Sequence, residues 1–353
     1  MIQAAINKAV GGAHLSQAEM VGVMDQVMEG RATPAQIGAF LVALRMKGES
    51  VAEIAGAAQV MRQKCLRVPV SLAPGEALVD TCGTGGDGAQ TFNISTVTAL
   101  VAAGAGVKVA KHGNRSVSSR CGSADLLEAL GVPLGLTPEQ VGRCIDQAGI
   151  GFLFAPALHL AMRHAIGPRR ELGLRTIFNL LGPLTNPAGA TAQVLGVYDP
   201  DLVAPLAQVL GSLGCASAYV VHGPGGLDEL ASTGVNRVAR LKDGRVESFS
   251  LTPEELGLTR GDPAELRGGL PADNVRLCLA VLNGRPGAAR DTVLMNAAAA
   301  LAAAGAAADL RQGVDLAARS LDSGAALAKL ERLVTVANRL AGADAAAGAT
   351  GRA

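Results

Sequence analysis

Apolar residues in the first seventy positions recur at helical spacing, with Ile37, Phe40, Leu41 and Leu44 on one face of a 3.6-residue period. Three capping-box pairs, Ser16 with Glu19, Thr33 with Gln36 and Ser50 with Glu53, mark helix starts. Pro34 stands at a first helical position and Gly48 at a stop. No strand pattern intervenes, so residues 1–72 read as a small helical domain, and Pro69 to Pro74 marks its exit.

From Ala77 the texture changes. Short β-rich runs at Ala77–Asp80, Gly106–Ala110, Ile150–Phe154, Gln193–Tyr198 and Ala218–His222 alternate with helical patterns. The helical patterns fall at Ser95–Ala105, Ser123–Leu130 and Thr137–Ala148, the last capped by Thr137-Pro138-Glu139-Gln140. Such alternation predicts a mainly parallel sheet covered on both faces. Arg237–Ser250 reads as a hairpin turning at Asp243-Gly244. The rest is helical to about Leu340, and Gly342–Ala353 reads as a frayed tail. The expected fold class is therefore α/β: a small N-terminal α-helical domain plus a larger α/β domain, residues 73–341, with a mainly parallel central sheet.

Composition narrows the class of function. The chain has 353 residues, 49% hydrophobic and 17% charged, which is long and apolar enough for a large core. Its 45 glycines, about 13% against about 7% in average usage, predict many tight turns and close backbone approaches. Aromatic residues make up only 2% and Trp is absent, so the core must be aliphatic and Ala-rich. A net charge of +1 with so few rings argues against a nucleic-acid or membrane surface. The six cysteines contain no CxxC pair, which argues against zinc and disulfide frameworks and for reduced, buried thiols. The N-terminus lacks the charged start and long apolar run of a signal peptide, and Ala297 to Ala308 is too short to span a bilayer. A cytoplasmic protein is expected.

Four segments carry chemistry. The loop Asp80-Thr81-Cys82-Gly83-Thr84-Gly85-Gly86-Asp87 follows a strand, and its glycines let backbone N–H groups converge on an anion. Asn93-Ile94-Ser95-Thr96 then opens a helix whose N-terminus favours negative charge. Alone, such a turn is equally a plain connection; it matches neither a Walker loop nor the dinucleotide fingerprint. The second segment, Lys111-His112-Gly113-Asn114-Arg115-Ser116-Val117-Ser118-Ser119, directly follows the run Gly106–Ala110, where α/β sheets place ligands. Its cations, hydroxyls and amide suit phosphate oxygens, although a solvated polar loop has the same composition. Ser123, at the start of the next helix, is able to donate to the same anion. Third, Asp228 and Glu229 end a Gly-rich loop; such a pair by itself is usually just a surface turn, but beside two phosphate-type loops it suits Mg²⁺ bridged to phosphates. Fourth comes Arg169 to Pro187, a cationic helix followed by the apolar turn Asn179–Pro187, with Arg170 and Arg175 read as part of a salt-bridged helix against a structural loop.

In this order and combination, Gly83–Asp87, Lys111–Ser119, Asn179–Pro187 and Asp228-Glu229 closely resemble the anthranilate phosphoribosyltransferases, over most of the chain to about Leu340. The resemblance implies a nucleoside phosphorylase/phosphoribosyltransferase-like fold and a homodimer formed through the helical domain, to which about 166–187 is expected to contribute. It implies transfer of the phosphoribosyl group of 5-phosphoribosyl 1-diphosphate to the amino group of anthranilate, with Mg²⁺. By motif position, Gly83, Gly86, Asp87, Thr91, Asn93, Ile94, Ser95, Thr96, Lys111 through Ser119 and Ser123 would hold the phosphoribosyl diphosphate. Ser95, Asp228 and Glu229 would ligate the metal, and Gly83, Asn114 and Arg169, with the backbone around Gly182-Pro183, would meet anthranilate. No acid–base residue is assigned; His112 and Cys82 read as structural. Pro224, just before the acidic pair, is one departure that bears on loop geometry. Two rival readings are a pyrimidine nucleoside phosphorylase, which shares some loop motifs, and a non-catalytic paralogue that binds nucleic acid.

Overall fold

A computed structural model of the chain describes residues 1–116 and 120–350, the stretch 344–350 by its backbone alone. It opens with helices α1 (Ile2–Val10), α2 (Gln17–Met28), α3 (Pro34–Lys47) and α4 (Val51–Lys64). All three N-terminal capping boxes form, each hydroxyl accepting from the N3 amide and each Glu or Gln returning to the cap. Glu53 does more than cap. Its buried carboxylate also accepts from Leu15 N at 2.9 Å and pairs with Lys47 Nζ at 2.8 Å, pinning the α1–α2 connection to the end of α3.

The α/β part runs β1 (Leu78–Gly83), α5 (Ile94–Gly104), β2 (Lys108–Gly113), α6 (Ser123–Ala129), α7 (Pro138–Ala148) and β3 (Ile150–Phe154). Helices α8 (Ala155–Leu158), α9 (Arg163–Leu172) and α10 (Phe178–Leu181) then cross over before β4 (Ala192–Gly196), α11 (Val203–Ser212) and β5 (Ser217–His222). The hairpin β6 (Asn236–Lys242) and β7 (Arg245–Leu251) follows, with φ positive at both Asp243 and Gly244, as a type I′ turn requires. Helices α12 (Pro271–Leu282), α13 (Ala288–Ala303), α14 (Leu310–Asp322) and α15 (Ala325–Thr350) complete the described chain.

The sheet order is β3-β2-β1-β4-β5-β6-β7, parallel through β5 and antiparallel beyond it. Alternation along the strands sends Val194, Tyr219 and Val221 to one face and Leu195, Ala218 and Val220 to the other. The first face is covered by the Ala-rich α13 with α5, α14 and α15. The second packs against α11, and its core runs without a break into the side chains of α1 to α4 and of α10. Ile177, Phe178, Leu180, Leu181 and Leu184 belong to that same core, so the 166–187 stretch packs with the N-terminal helices.

Two boundaries differ from the sequence reading. Helix α15 continues over Gly342 to Thr350, where a frayed tail from 342 was expected, because this Ala-rich stretch has high intrinsic helix propensity. Residues 351–353 lie outside the described residues. Strand β2 runs on to Gly113, so Lys111 and His112 are strand residues and not loop residues.

Candidate active site

Strand order reverses between β1 and β4: β1 leads through α5 to β2 on one side, and β4 through α11 to β5 on the other. Open α/β sheets bind ligands beyond the strand ends at such a point. The glycine loop leaves β1 there. Gly85, Gly86 and Gly88 have φ of +66°, +73° and +72°, a region in which only glycine is unstrained. Thr84 N donates to Gly196 O at 2.9 Å, and Tyr198 N donates to the Thr84 hydroxyl at 3.2 Å, which fastens the loop to the end of β4.

The acidic pair arrives from β5 through the turn Pro224–Gly226, in which Pro224 occupies a first helical position and leaves the carboxylates untouched. Gly85 N donates to Asp228 Oδ2 at 2.7 Å. Asp228 lies so close to the sheet that a Cβ on Gly83 would stand 2.3 Å from its Oδ2, and one on Gly196 would stand 1.5 Å from its backbone oxygen. Glu229 accepts from Ser95 N at 3.1 Å and so caps the first turn of α5, a task the Asn93 side chain does not perform. Desolvation, followed by the nearby carboxylate of Asp87, holds Asp228 well above the usual carboxylate range. Desolvation and then Asp228 do the same to Glu229, against the pull of Lys111.

Crowded, dehydrated carboxylates call for a cation. Among the described residues no three His, Cys, Asp or Glu side chains converge as a metal cage. Two carboxylates and a hydroxyl with the remaining positions left to water and phosphate oxygens is how proteins hold Mg²⁺, so Ser95, Asp228 and Glu229 fit that ion.

The second loop is shaped from within. The Ser123 hydroxyl lies 3.2 Å from both Asn114 N and Asn114 O, accepting from the first and donating to the second. A Cβ on Gly113 would meet that hydroxyl at 2.1 Å, so Gly113 is dictated by packing. Lys111 is buried and donates to Thr81 O and His112 O. His112 is buried with its Nε2 3.2 Å from Nε2 of His159, and burial pushes it well below its ordinary value. Arg115 turns outward to Asp125 and, through both terminal nitrogens, to Glu128. Val117, Ser118 and Ser119 lie outside the described residues.

Other residues of the expected substrate set also have internal partners. Ile94 and Thr96 face the core, and the Thr96 hydroxyl finds no partner among the described residues. Asn93 donates to Cys121 O at 3.0 Å and accepts from Asn274 at 2.8 Å. Thr91 bridges to Arg267, and Asp87 closes a turn by accepting from Ala89 N. Arg169 lies over the Phe178 ring at 5.0 Å, its guanidinium pushed down by burial. Arg175, read from sequence as part of a salt-bridged helix, stacks over Tyr198 at 4.2 Å and borders Gly86, bringing a cation to the glycine loop. Sequence reasoning also missed Asp80, His159 and Gly196. Asp80 stood inside the quoted loop motif, but nothing local marks it as buried.

A helical bundle fused to a switch-point α/β sheet with a glycine loop and an acidic pair fits the glycosyl transferase family. Models of that family match both parts, the helical bundle domain over residues 3–65 and the a/b domain over residues 75–327. An Anaeromyxobacter dehalogenans protein named anthranilate phosphoribosyltransferase is 62% identical over 334 residues, covering 95% of this chain and 98% of its own. Its namesake in Moorella thermoacetica is 58% identical over the same shares. The crystal structure of the anthranilate phosphoribosyltransferase from Thermus thermophilus superposes with a TM-score of 0.88 at 48% identity, covering 95% of this chain and 99% of that one. The Saccharomyces cerevisiae enzyme in complex with PRPP and Mg gives 0.84 at 28% identity, over 96% and 98%. This chain belongs to the anthranilate phosphoribosyltransferase family.

Proposed function

We propose that the chain transfers the phosphoribosyl group of 5-phosphoribosyl 1-diphosphate to the amino group of anthranilate, giving N-(5-phosphoribosyl)anthranilate and pyrophosphate in tryptophan biosynthesis. The observation that carries this reading is the meeting of Asp228 and Glu229 with the glycine loop and the first turn of α5 in one crevice. The names of the relatives and the PRPP and Mg of the yeast structure support it.

In this reading the N–H groups of Gly83 to Asp87, with Thr91, Asn93, the Gly113–Ser119 loop and Ser123, cradle the diphosphate and ribose, and the buried Ile94, Thr96, Lys111 and His112 support them from beneath. Ser95, Asp228 and Glu229 hold Mg²⁺, which when bound neutralises charge on the departing pyrophosphate. The residues act by fixing position and by matching developing charge. Loss of pyrophosphate gives the ribosyl carbon oxocarbenium character, and Gly83, Asn114 and Arg169 set the anthranilate amine against it. An aryl amine is already unprotonated at neutral pH, so no strong base is needed. The buried, neutral His112 suits a packing role.

A homodimer through the helical domain belongs to the same proposal; exposed Val10 and Met46, 73% and 84% accessible, support it as apolar surface on α1 and α3. So does a cytoplasmic location, which the burial of all six cysteines favours. No helix among the described residues is long and apolar enough to cross a membrane. Incubation of purified protein with phosphoribosyl diphosphate, Mg²⁺ and anthranilate should deplete anthranilate fluorescence. Absence of turnover, with phosphate-dependent cleavage of thymidine or uridine in its place, would refute the proposal.

A further inference from the structure

Strands β1 and β2 pair only at Leu78–Lys108 and Val79–Val109. Beyond these residues β1 stays paired with β4 as far as Gly83–Gly196, and β2 with β3 as far as Gly113–Phe154. The sheet therefore opens between β1 and β2 just before the glycine loop and the Asn114 loop. A continued parallel ladder would have joined Thr81 to Ala110 and His112. Buried backbone groups released from a ladder need other partners.

Three side chains supply them. Asp80 accepts from His112 N at 3.1 Å and from Asn186 Nδ2 at 2.8 Å. The same Asn186 amide donates to Ala110 O at 2.8 Å. Lys111 Nζ donates to Thr81 O at 2.5 Å and to His112 O at 3.1 Å. Asp80, Lys111 and Asn186 are 0%, 3% and 5% exposed, so the gap is a buried polar seam and not a solvated cleft. Asn186 brings a third segment into the seam, because the preceding Pro183 O is itself held by Gln193 Nε2 at 2.6 Å.

We infer that Asp80, Lys111 and Asn186 form a wedge that holds the ends of β1 and β2 apart and thereby sets the separation of the two substrate loops. Asp80 and Asn186 are positioning residues for the transfer; this rests on the reaction proposed above. Burial pushes the Asp80 carboxyl up, and the nearby Lys111 opposes that shift. Asn186 completes it by satisfying one oxygen from each side, Asp80 Oδ2 from β1 and Ala110 O from β2.

The test compares Asp80→Asn and Asn186→Ala with wild type, using thermal melts for folding and steady-state kinetics in both substrates, normalised to folded protein. Misplacement of the loops by about 1 Å should lower kcat by about 10²-fold, more than it raises KM for either substrate. Asp80→Asn sets two amide NH₂ groups against each other; should it fail to fold, Asn186→Ala, which removes no charge, decides alone. A role in folding alone predicts a lower melting temperature with kcat per folded molecule within about threefold of wild type, and that result overturns the wedge. Crystal structures of wild type and Asn186→Ala give a readout independent of the chemistry. The wedge requires the glycine loop and the Asn114 loop to shift relative to each other, and unmoved loops overturn it. An inactive wild type with shifted loops in the variant would refute the proposed reaction and leave the wedge standing.

Discussion

Gly196 offers the sharpest perturbation. It ends β4 in the centre of the sheet, paired with Gly83 on one side and Val221 on the other. An alanine Cβ there would stand 1.5 Å from the backbone oxygen of Asp228, 2.4 Å from its carbonyl carbon and 3.2 Å from its Cα. Side-chain rotation cannot relieve a clash with backbone. Real Cβ contacts stay beyond 3.0 Å, so the Asp228 peptide must retreat by at least 1.5 Å or the strand must bend. That peptide carries one proposed metal ligand and precedes the other. A displacement of this size should cost about 10²-fold or more in kcat/KM. Overpacking should also remove about 1–3 kcal/mol of stability, a sizeable part of a total of about 5–15 kcal/mol. Purified Gly196→Ala should be compared with wild type by urea unfolding, by kcat/KM and by Mg²⁺ titration of the rate. Activity within about threefold of wild type, with an unshifted Mg²⁺ midpoint, would mean that Asp228 is not placed by this contact.

Asp228 and Glu229 are raised by burial and by neighbouring carboxylates, so the metal-free folded state binds more protons than the unfolded chain. Its stability should fall as pH rises from the ordinary carboxylate range through the raised values. Mg²⁺ competes with those protons, so the rise in melting temperature between chelator and Mg²⁺ should grow from about pH 6 to about pH 8. A rise independent of pH, or one that persists when both residues become Ala, would remove them from the metal site. Gly38 lies inside α3 with no atom within 4 Å of an added Cβ, so Gly38→Ala should stabilise the fold by about 0.5–1 kcal/mol, read as a higher melting temperature at unchanged kcat. A lower melting temperature would contradict the assigned space.

Much of this protein is legible residue by residue. Capping boxes work within four residues, so Ser16, Thr33, Ser50 and Thr137 mark their helix starts without knowledge of the fold. The Asp243-Gly244 turn needs left-handed backbone that these residues tolerate, and the β/α alternation fixes a parallel sheet because such strands require crossovers. The glycine loop and the acidic pair carry their chemistry in their own side chains and backbone, and the order of four such motifs points to the family.

Tertiary structure decided what depends on residues far apart in the chain. Glu229 caps α5 from 134 positions away, and Asp80 reaches Asn186 across 106. Neither partner has a local pattern that announces the other. Lys111, His112 and Arg115 have the composition of a phosphate loop, yet strand pairing buries the first two and an ion pair turns the third outward. Gly196 is an ordinary strand glycine until the Asp228 backbone is laid against it. Burial, strand divergence and the dehydration that raises a carboxylate's pKa are properties of neighbours, and neighbours in space exist only once the chain has folded.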